Sequence, residues 1–470
     1  MKILIGCINF HSRPFTELWL KSLSKNIEKL GTPLESPTSE QLHKVVVLNN
    51  SPEDNLDDLK HMYPGVVFIE PGNNLGVAAG WNRIIKEGFD LNGNPLYDYY
   101  MPTNNDIYFT ESWLDNFLSC LQQDTKKEYG WISSFCNDYK EYELTGVSET
   151  IEFENRYWNG VRIEADDMDT LLMVQNMLKI AYAPFGGVER FAETLRQKYG
   201  IKLKQMHQKA PCFALSKECI KEVGLFDEYN SPIGLHEDAD YGKRIELSRF
   251  KFGAAFGAYV MHFSMMSRTK GEFKKEWWVE SREKAFQEKW GVSSKEMHKI
   301  TKDKKFKLDL GSGYGPRKDG HWYHMEIDPK FSDIEFLGDI SKELPFDDES
   351  MSEIYASNCL EHCEWKTILG VLYEWRRVLA TGGKIEIRVP NFRFAAERYL
   401  EGSWKLSLVE GTERNLTHLI FGGDNPGYPH LHKVGLDYDN LSQALKDVGF
   451  SNIVNASDQG SWELKIIAEK

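Results

Sequence analysis

The sequence predicts an α/β protein with two successive domains. In the first half, apolar segments of strand length alternate with segments of helical periodicity, the pattern of a parallel sheet with right-handed crossovers. Several of these strands end in polar residues, as strands do where a sheet edge opens onto a site. A further strand followed by a glycine-rich turn begins near residue 307, after a polar, lysine-rich stretch at 292–305.

Bulk composition limits the classes of function. A chain of 470 residues is too long for one hydrophobic core, so two or three domains are expected. The hydrophobic fraction of 41% and the charged fraction of 27% are ordinary for a globular enzyme. The net charge of −14 disfavours a general affinity for nucleic acid or for anionic membranes.

Cysteine usage and the N-terminus point to a cytoplasmic protein. The 7 cysteines are scattered, which fits reduced thiols. Cys359 and Cys363 flank His362, but this segment is predicted to be a helix and no second ligand pair follows, so zinc is not expected there. The apolar run at 1–6 is too short for a signal peptide, and no stretch has the length needed to span a membrane.

Four strands and two helices are predicted in the first half. One helix covers 15–30, and the segment 73–82 opens another that continues to residue 86. The strands at 2–8 and 44–48 end at Asn9 and Asn49, a third covers 66–70, and the stretch 99–109 contains a fourth that ends at Asp106. These polar ends converge on one edge and predict a nucleotide pocket, with Asp106 as a ligand of a hard divalent cation. A simple helix cap at 104–106 is the alternative.

Six short motifs in the first half carry a family resemblance. They stand at 47–51 (VLNNS), 74–82 (NLGVAAGWN), 104–106 (NND), 211–213 (PCF), 224–228 (GLFDE) and 236–240 (HEDAD). In this order they resemble the family 2 type of GT-A glycosyltransferase over roughly the first 270 residues. The resemblance implies inverting transfer of a sugar from a nucleotide-sugar donor to a glycan or glycoconjugate, with Mn²⁺ or Mg²⁺.

The resemblance also assigns roles to residues. Asp106 would hold the metal ion, and Asp238 would be the general base that takes the acceptor proton. His262 falls where related enzymes place a histidine near the metal, although a core histidine is an equal alternative.

Three amides would contact the donor nucleotide, namely Asn9, Asn49 and Asn74. Asn49 stands where the family usually has an aspartate, so the nucleobase stays open.

Two segments of this half have no counterpart in the motifs. Helices predicted at 166–182 and 188–199 lie in an insertion at 151–208, which we expect to shape the acceptor site; a structural cover or a dimer contact is the alternative. A charged helical linker at 271–305 then separates a first domain at 1–270 from a second at 306–470.

The second half opens with a strand that enters a turn containing Gly311 and Gly313. Glycines there allow a ligand to approach the backbone closely. The next strand ends at Glu326 and Asp328, and such an acid can hold two ribose hydroxyls. A tight strand–helix connection without a ligand is the alternative.

Motifs through the rest of this half resemble a class I S-adenosylmethionine-dependent methyltransferase. They stand at 336–340, 344–346, 354–362, 374–384 and 387–391, with further matches at 421–423, 430–433 and 441–450. The similar subgroup is common in bacterial polysaccharide loci. It implies a Rossmann-like fold over nearly all of 307–470, although the usual first helix has no room between residues 315 and 323.

The second resemblance implies a cofactor site. Gly311 and Gly313 would meet the methionine part of S-adenosylmethionine, Glu326 the ribose with Asp328 as second choice, and Asp339 the adenine amine.

The same resemblance implies an acceptor side. Asn358, Glu361, His362 and His432 would line it, with His432 as the base for a sugar hydroxyl and His362 as its rival. Either histidine could instead be structural.

Together these observations predict a bifunctional glycosyltransferase and methyltransferase for polysaccharide synthesis. One alternative is a glycosyltransferase whose second half is a non-catalytic binding module. Another is a phage enzyme that glycosylates DNA bases, which the acidic charge disfavours.

Overall fold

The structure is a computed structural model that describes residues 1–27, 43–137, 139, 182–228, 236–263, 283–284, 286–300, 305–313, 315–331, 334–404, 416–425 and 428–470. The chain divides into two compact units, Met1–Asp90 with Pro95–Gln287, and Glu288–Lys470 with Leu91–Asn94. All seven cysteines are buried as free thiols. Within the described ranges, no helix combines the length and apolar character needed to cross a membrane.

The first unit is built on one large sheet flanked by helices. Its strands are β1 (Ile3–Asn9), β2 (His43–Asn49), β3 (Val67–Ile69), β4 (Tyr99–Asn104), β5 (Ile107–Phe109), β6 (Tyr129–Cys136), β7 (Lys202–Gln205), β8 (Phe213–Ser216) and β9 (Lys251–His262). Its helices are α1 (Arg13–Leu23), α2 (Asp57–Met62), α3 (Val77–Lys86), α4 (Trp113–Leu121), α5 (Val188–Tyr199), α6 (Lys217–Val223) and α7 (Glu237–Leu247), with a 3₁₀ turn at Ala183–Phe185.

The strand order of this sheet is β3-β2-β1-β4-β8-β6-β9-β5, and β7 pairs with β9. The first four strands are parallel, as expected from strands that alternate with helices. The sheet is not parallel throughout, because β8, β5 and β7 run antiparallel to their neighbours. β1 is apolar and almost wholly buried, as a strand covered on both faces must be.

Local sequence explains several helix boundaries. Pro14 lies in the first turn of α1, where its missing N–H costs no helical hydrogen bond. The Ser216 hydroxyl accepts a hydrogen bond from Cys219 N and so caps α6. α1 ends at Leu23, short of the predicted 30, while α5 has the predicted bounds. The helix predicted at 166–182 lies outside the described residues except for Tyr182, as does most of the linker helix at 271–290.

The second unit has a central sheet and a small hairpin. Its strands are β10 (Phe306–Leu310), β11 (Tyr323–Glu326), β12 (Phe336–Leu337), β13 (Met351–Ser357), β14 (Leu379–Pro390), β15 (Gly422–Asn425), β16 (Tyr428–Leu431), β17 (Ser451–Asn455) and β18 (Glu463–Glu469). Its helices are α8 (Ile368–Val378), α9 (Phe392–Leu400), α10 (Leu416–Phe421) and α11 (Tyr438–Asp447), and 3₁₀ turns cover Ser294–Lys299, Leu360–His362 and Trp365–Thr367.

The central sheet of this unit has the order β12-β11-β10-β13-β14-β18-β17. β10 to β14 are parallel, and β18 is antiparallel to both of its neighbours. The chain leaves β10 in one direction for β11 and β12, then crosses to β13 on the other side. The carboxyl ends of β10 and β13 therefore form a topological switch point, where open α/β sheets bind ligands.

Two local features matter for this edge. Residues 315–322 contain no helix, in agreement with the prediction that the usual first helix has no room there. The segment around His362 is a short 3₁₀ turn and not the predicted helix. It directs side chains of the β13 exit toward the segment at 431–433, whose Lys433 N donates to the Glu361 carbonyl at 2.8 Å.

Candidate functional sites

Asn9 and Asn49 join the ends of the first two strands. Asn9 Nδ2 donates to Asn49 Oδ1 at 3.0 Å and to Asp54 Oδ2 at 2.8 Å, while its Oδ1 accepts from Thr16 Oγ1. Asn49 Nδ2 donates to Glu70 Oε2 at 3.0 Å. Both asparagines are almost wholly buried. The two amides thus hold the predicted pocket edge together, and a ligand that used their donors would have to replace these hydrogen bonds.

Asn74 is exposed and shapes the loop before α3. Its Oδ1 accepts from Gly76 N at 2.8 Å. Asn50, which belongs to the same motif as Asn49, reaches this loop through Leu75 N and the Gly76 carbonyl, each at 3.0 Å. Gly76 has φ +81°, a conformation that favours glycine. The loop at 74–76 is therefore fixed by side-chain amides in front of the α3 N-terminus.

Asp106 and His262 are brought together by strand pairing. β5 pairs with β9 so that Ile107 lies opposite His262. Asp106 Oδ1 lies 3.3 Å from His262 Nε2, and Asn104 Nδ2 lies 3.4 Å from the same nitrogen. Asp106 is only 3% exposed. A carboxylate and an imidazole at this spacing offer oxygen and nitrogen ligands to one ion.

The sequence analysis missed Asn137, which fixes His262. Its Nδ2 donates to the His262 carbonyl at 2.9 Å, and its Oδ1 accepts from His262 N at 2.8 Å. Asn137 directly follows β6. Asn9 was identified as a polar residue at the end of an apolar strand, and the same pattern could have identified Asn137. Asn105, by contrast, donates to Ser12 Oγ at 2.6 Å and to Thr16 Oγ1 at 2.9 Å, which gives it a structural role.

Asp238 lies in the first turn of α7 and is partly buried. Its Oδ1 accepts from Ala239 N at 2.8 Å, and its carbonyl accepts from Gln208 Nε2 at 3.0 Å. Further along the same helix, Arg244 forms an ion pair with Asp240 at 3.1 Å. The helix N-terminus stabilises a carboxylate in this position.

In the second unit, the glycine turn after β10 contacts the end of β11. Gly313 N donates to Glu326 Oε2 at 2.9 Å. Gly311 has φ +65°, and a Cβ there would lie 2.6 Å from Cys359 Cβ, so packing requires a glycine. Gly313 has φ +46°, but among the described residues the nearest atom to an added Cβ would be the Gly311 carbonyl oxygen, at 3.8 Å. Space therefore remains beside the Gly313 backbone.

Acidic side chains follow the strand ends on this side. Glu326 Oε1 accepts from Ile327 N at 2.7 Å, Asp328 Oδ1 from Lys330 N at 2.9 Å, and Asp339 Oδ1 from Ser341 Oγ at 2.6 Å. These hydrogen bonds orient the carboxylates. Because a carboxylate has about four lone-pair positions, each can accept further hydrogen bonds from a ligand.

A pocket of about 480 Å³ lies next to the switch point. Its walls include side chains from the β13 exit, α10 and the segment after β16, among them Asn358, Glu361, His362, His418, His432 and Trp462. Asn358 has φ +50°, an uncommon conformation for a residue other than glycine. The pocket thus brings together all four predicted acceptor-side residues, Asn358, Glu361, His362 and His432.

Glu361 is the most unusual group in this pocket. It is 2% exposed, and neither carboxylate oxygen has a hydrogen-bond partner on another described residue. Burial raises the pKa of Glu361 to about 8. His432 Nε2 lies 4.0 Å from Glu361 Oε1, and burial, together with nearby His362, lowers the pKa of His432. One ligand atom from each of the three side chains lies within 4.8 Å of the others.

Residues 320–387 match the family model described as "Methyltransferase domain". Among solved structures, the chain is similar to the CurJ carbon methyltransferase, with 20% identity over 40% of this chain and 52% of that chain, and a TM-score of 0.24. The chain therefore spans about half the length of that protein.

Two further structures are similar at lower identity. One is a SAM-dependent methyltransferase and possible histamine N-methyltransferase from Thermotoga maritima (12% identity, 36% of this chain, 83% of that chain, TM-score 0.26). The other is a SAM dependent methyltransferase from Archaeoglobus fulgidus (14%, 39%, 98%, TM-score 0.25). Among curated proteins, no sequence matches the chain. The match to the methyltransferase-domain model thus lies within the second unit, over residues 320–387.

Proposed function

We propose that the second unit binds S-adenosylmethionine at the carboxyl edge of its sheet and methylates a hydroxyl of an acceptor in the adjacent pocket. The observation that carries this proposal is the 2.9 Å hydrogen bond from Gly313 N to Glu326 Oε2, which links a glycine turn to an acidic strand end at the switch point. The methyltransferase-domain match over 320–387 supports the same function.

The residues at this edge fit such a cofactor. The open space beside Gly313 admits a ligand against the backbone. Glu326, with Asp328 as second choice, can accept hydrogen bonds from ribose hydroxyls, and Asp339 can accept one from the adenine amine. Gly311 contributes less directly, because its missing Cβ is explained by the contact with Cys359.

In this proposal the acceptor lies in the pocket lined by Asn358, Glu361 and His432. S-adenosylmethionine supplies a methyl group that is already activated on a sulfonium, so the protein mainly aligns the acceptor oxygen with it. Trp404 and Trp462 line the same pocket and offer aromatic surfaces for a sugar ring. The lowered pKa of His432 keeps its imidazole neutral, which suits a base or a metal ligand.

Titration of S-adenosylmethionine into the full chain by calorimetry tests the cofactor site. Gly313→Arg should abolish binding, since the arginine fills the space beside the turn. Gly370→Arg is the matched control, because Gly370 is exposed on α8 and no described residue beyond its own helical turn lies within 4 Å of an added Cβ. Equal affinity of parent and Gly313→Arg would refute the site. If the parent protein does not bind S-adenosylmethionine, the proposed function of the second unit is refuted.

A second activity, sugar transfer by the first unit, is favoured by the Asp106–His262 pair. The 3.3 Å separation and the burial of Asp106 suit a site for Mn²⁺ or Mg²⁺ that would hold the diphosphate of a nucleotide-sugar donor. When bound, the ion would stabilise the charge on the departing diphosphate. Asp238 would take the proton of the acceptor hydroxyl as that oxygen attacks the anomeric carbon. A glycan or glycoconjugate is the proposed acceptor.

A donor screen tests this second activity. Full-length protein with Mn²⁺ is mixed with UDP-, GDP-, dTDP- and CMP-sugars, and thermal shift and donor hydrolysis are read. One responding donor whose effect vanishes in Asp106→Ala supports the proposal. No response from any donor would refute it. A salt-dependent shift of DNA would instead favour the base-glycosylating alternative.

Both activities in one chain would suit successive modification of the same glycan in the cytoplasm. A product released by one site would meet the other at raised effective concentration. If S-adenosylmethionine binds but no acceptor is ever methylated, the alternative holds in which the second half is a non-catalytic binding module.

A further inference from the structure

We propose that Glu361, His362 and His432 form a site for a divalent transition-metal ion of the Zn²⁺ class, inside the pocket at the switch point. The proposal begins with a carboxylate that is 2% exposed and has no hydrogen-bond partner on another described residue. A buried carboxylate in this state is costly unless a proton or a cation compensates it. Because two imidazoles lie on the same pocket wall, a metal cation is favoured over a proton as the group that compensates this carboxylate.

His362 is oriented as metal-ligating histidines are. Its Nδ1 lies 3.1 Å from the Leu431 carbonyl, so the neutral imidazole that donates there has its lone pair on Nε2. A ligating histidine usually donates its other nitrogen to a carbonyl or carboxylate in this way. The hydrogen bond therefore selects the tautomer that a metal ion requires.

The backbone holds the three side chains in one place. Lys433 N donates to the Glu361 carbonyl at 2.8 Å, and His432 N donates to the Phe421 carbonyl at 3.1 Å. These bonds tie the β13 exit to the segment after β16, which is distant in sequence. Lys433 also pairs with Glu364 at 3.0 Å. These contacts thus hold the segments that carry the three proposed ligands in place before any ion binds.

Two nitrogens and one oxygen suit Zn²⁺ or a similar ion better than Mg²⁺ or Ca²⁺, for which oxygen ligands should be in the majority. The three ligand atoms lie within 4.8 Å of one another. A tetrahedral ion with bonds of about 2.1 Å would place them about 3.4 Å apart, a contraction that side-chain rotations can supply. Three protein ligands leave a position open toward the pocket, as in catalytic zinc sites.

The sequence pattern around His362 did not predict zinc, because the cysteines that flank it have no second ligand pair. Cys359 and Cys363 are buried in the hydrophobic core of the second unit, and burial raises the pKa of both thiols. They are poor candidates for ligands. The third ligand is instead His432. Because His432 is distant from His362 in the sequence, the spacing of residues around His362 could not identify it.

The role of the ion rests on the proposed methyl transfer. An acceptor hydroxyl in the open position would lose its proton to water more readily beside the cation. Its oxygen would form the new C–O bond as the C–S bond of the methyl donor breaks, with the electron pair of that bond staying on sulfur. Glu361 and the two histidines would then position the acceptor oxygen and would not take up its proton.

Zinc titration by calorimetry tests the site in chelator-treated, full-length protein. All proteins carry Asp106→Ala, so that the first unit cannot contribute through that carboxylate. We expect one equivalent of Zn²⁺ to bind, and Glu361→Gln and His432→Ala to weaken binding by at least about tenfold. His418→Ala is the matched control, because His418 lines the pocket outside the cluster and its loss should leave zinc affinity unchanged.

Circular dichroism and thermal melting of each metal-free variant show whether it is folded, and Co²⁺ absorption gives a second readout of the coordination. Zinc affinity that is the same in the parent, Glu361→Gln and His432→Ala would overturn the proposal. Zinc binding that requires these residues in a protein without methyl transfer would support the site and refute the proposed function. An undiminished methylation rate without metal would overturn the role of the ion in the reaction.

Discussion

In the second unit, Nε2 of His432 lies 4.0 Å from Oε1 of Glu361, a carboxylate that is 2% exposed. This distance is too long for a hydrogen bond, so the histidine does not compensate the burial of the carboxylate. The raised pKa of Glu361, about 8, follows from that burial. The pocket is therefore arranged to favour a proton or a cation between these residues.

The pH dependence of stability should report this carboxyl. The folded protein holds the Glu361 proton more tightly than the unfolded chain, whose value is near 4.5, so folding stability should fall as the pH rises from 4.5 toward 8. Glu361→Gln has no such proton. At pH 8 the free energy of unfolding of the variant should exceed that of the metal-free parent by a few kcal/mol, since each pKa unit corresponds to about 1.4 kcal/mol. This difference in stability should vanish near pH 4.5.

Denaturant unfolding of chelator-treated protein at several pH values makes this measurement. Glu364→Gln serves as the control, because Glu364 is an exposed neighbour paired with Lys433. Its pH dependence should match that of the parent. A Glu361→Gln variant whose stability follows the same pH curve as the parent would contradict the prediction.

Asn137→Ala should destabilise the first unit by about 1–3 kcal/mol, because it leaves the partly buried N–H and carbonyl of His262 without their side-chain partner. Mn²⁺ affinity should also fall if His262 and Asp106 share an ion. Unfolding of the first unit and Mn²⁺ titration measure the two effects. The exposed Asn73→Ala is the control, and a loss of stability equal in both variants would exclude a specific role for Asn137.

The sequence was sufficient for the α/β class and for the strand ends at Asn9 and Asn49, since apolar runs and their polar terminations are local signals. The strand predicted to end at Asp106 ends instead at Asn104, and Asp106 lies just before β5. It could not show that the amide of Asn9 is already bonded to Asn49, Asp54 and Thr16, because those partners come from other elements. The antiparallel strands β8 and β5 escaped prediction for a related reason: pairing direction depends on which strands become neighbours.

The second unit shows the same limit. The glycine turn and the acid at Glu326 are local patterns, but their hydrogen bond depends on how β10 and β11 pair. Gly311 could be interpreted from sequence as a ligand contact, and only the packing against Cys359 shows why a side chain cannot fit there. The buried environment of Glu361 likewise arises from segments far apart along the chain.

Gly311→Ala should lower the stability of the second unit by about 1–3 kcal/mol, since the added Cβ would lie 2.6 Å from Cys359 Cβ in a backbone with φ +65°. Gly315→Ala is the matched control from the same turn, because no atom of the described residues beyond its chain neighbours lies within 4 Å of its added Cβ. Thermal and denaturant unfolding compare the two. If both alanines prove equally harmless, the close contact with Cys359 does not limit this position.

Arg244 is the anchor of the helix that carries Asp238. Its guanidinium donates to Asp240 Oδ2 at 3.1 Å and to the carbonyls of Val223 and Leu225 at 2.8 and 2.7 Å, all in a buried setting. Arg244→Met would leave the Asp240 carboxylate buried without this cation, which costs about 3–5 kcal/mol. Arg244→Lys should recover little of the loss, because an ammonium cannot reach acceptors on three sides as the planar guanidinium does.

Denaturant unfolding of the first unit measures these costs, with Arg249→Met as the control. Arg249 pairs with Glu222 at the exposed surface, so its loss should cost less than about 1 kcal/mol. If the first unit transfers sugar, Arg244→Lys should lower kcat more than it raises KM for the donor, since it displaces the α7 turn that carries the proposed base. A lysine variant as stable and as active as the parent would show that charge alone, and not the guanidinium geometry, positions this helix.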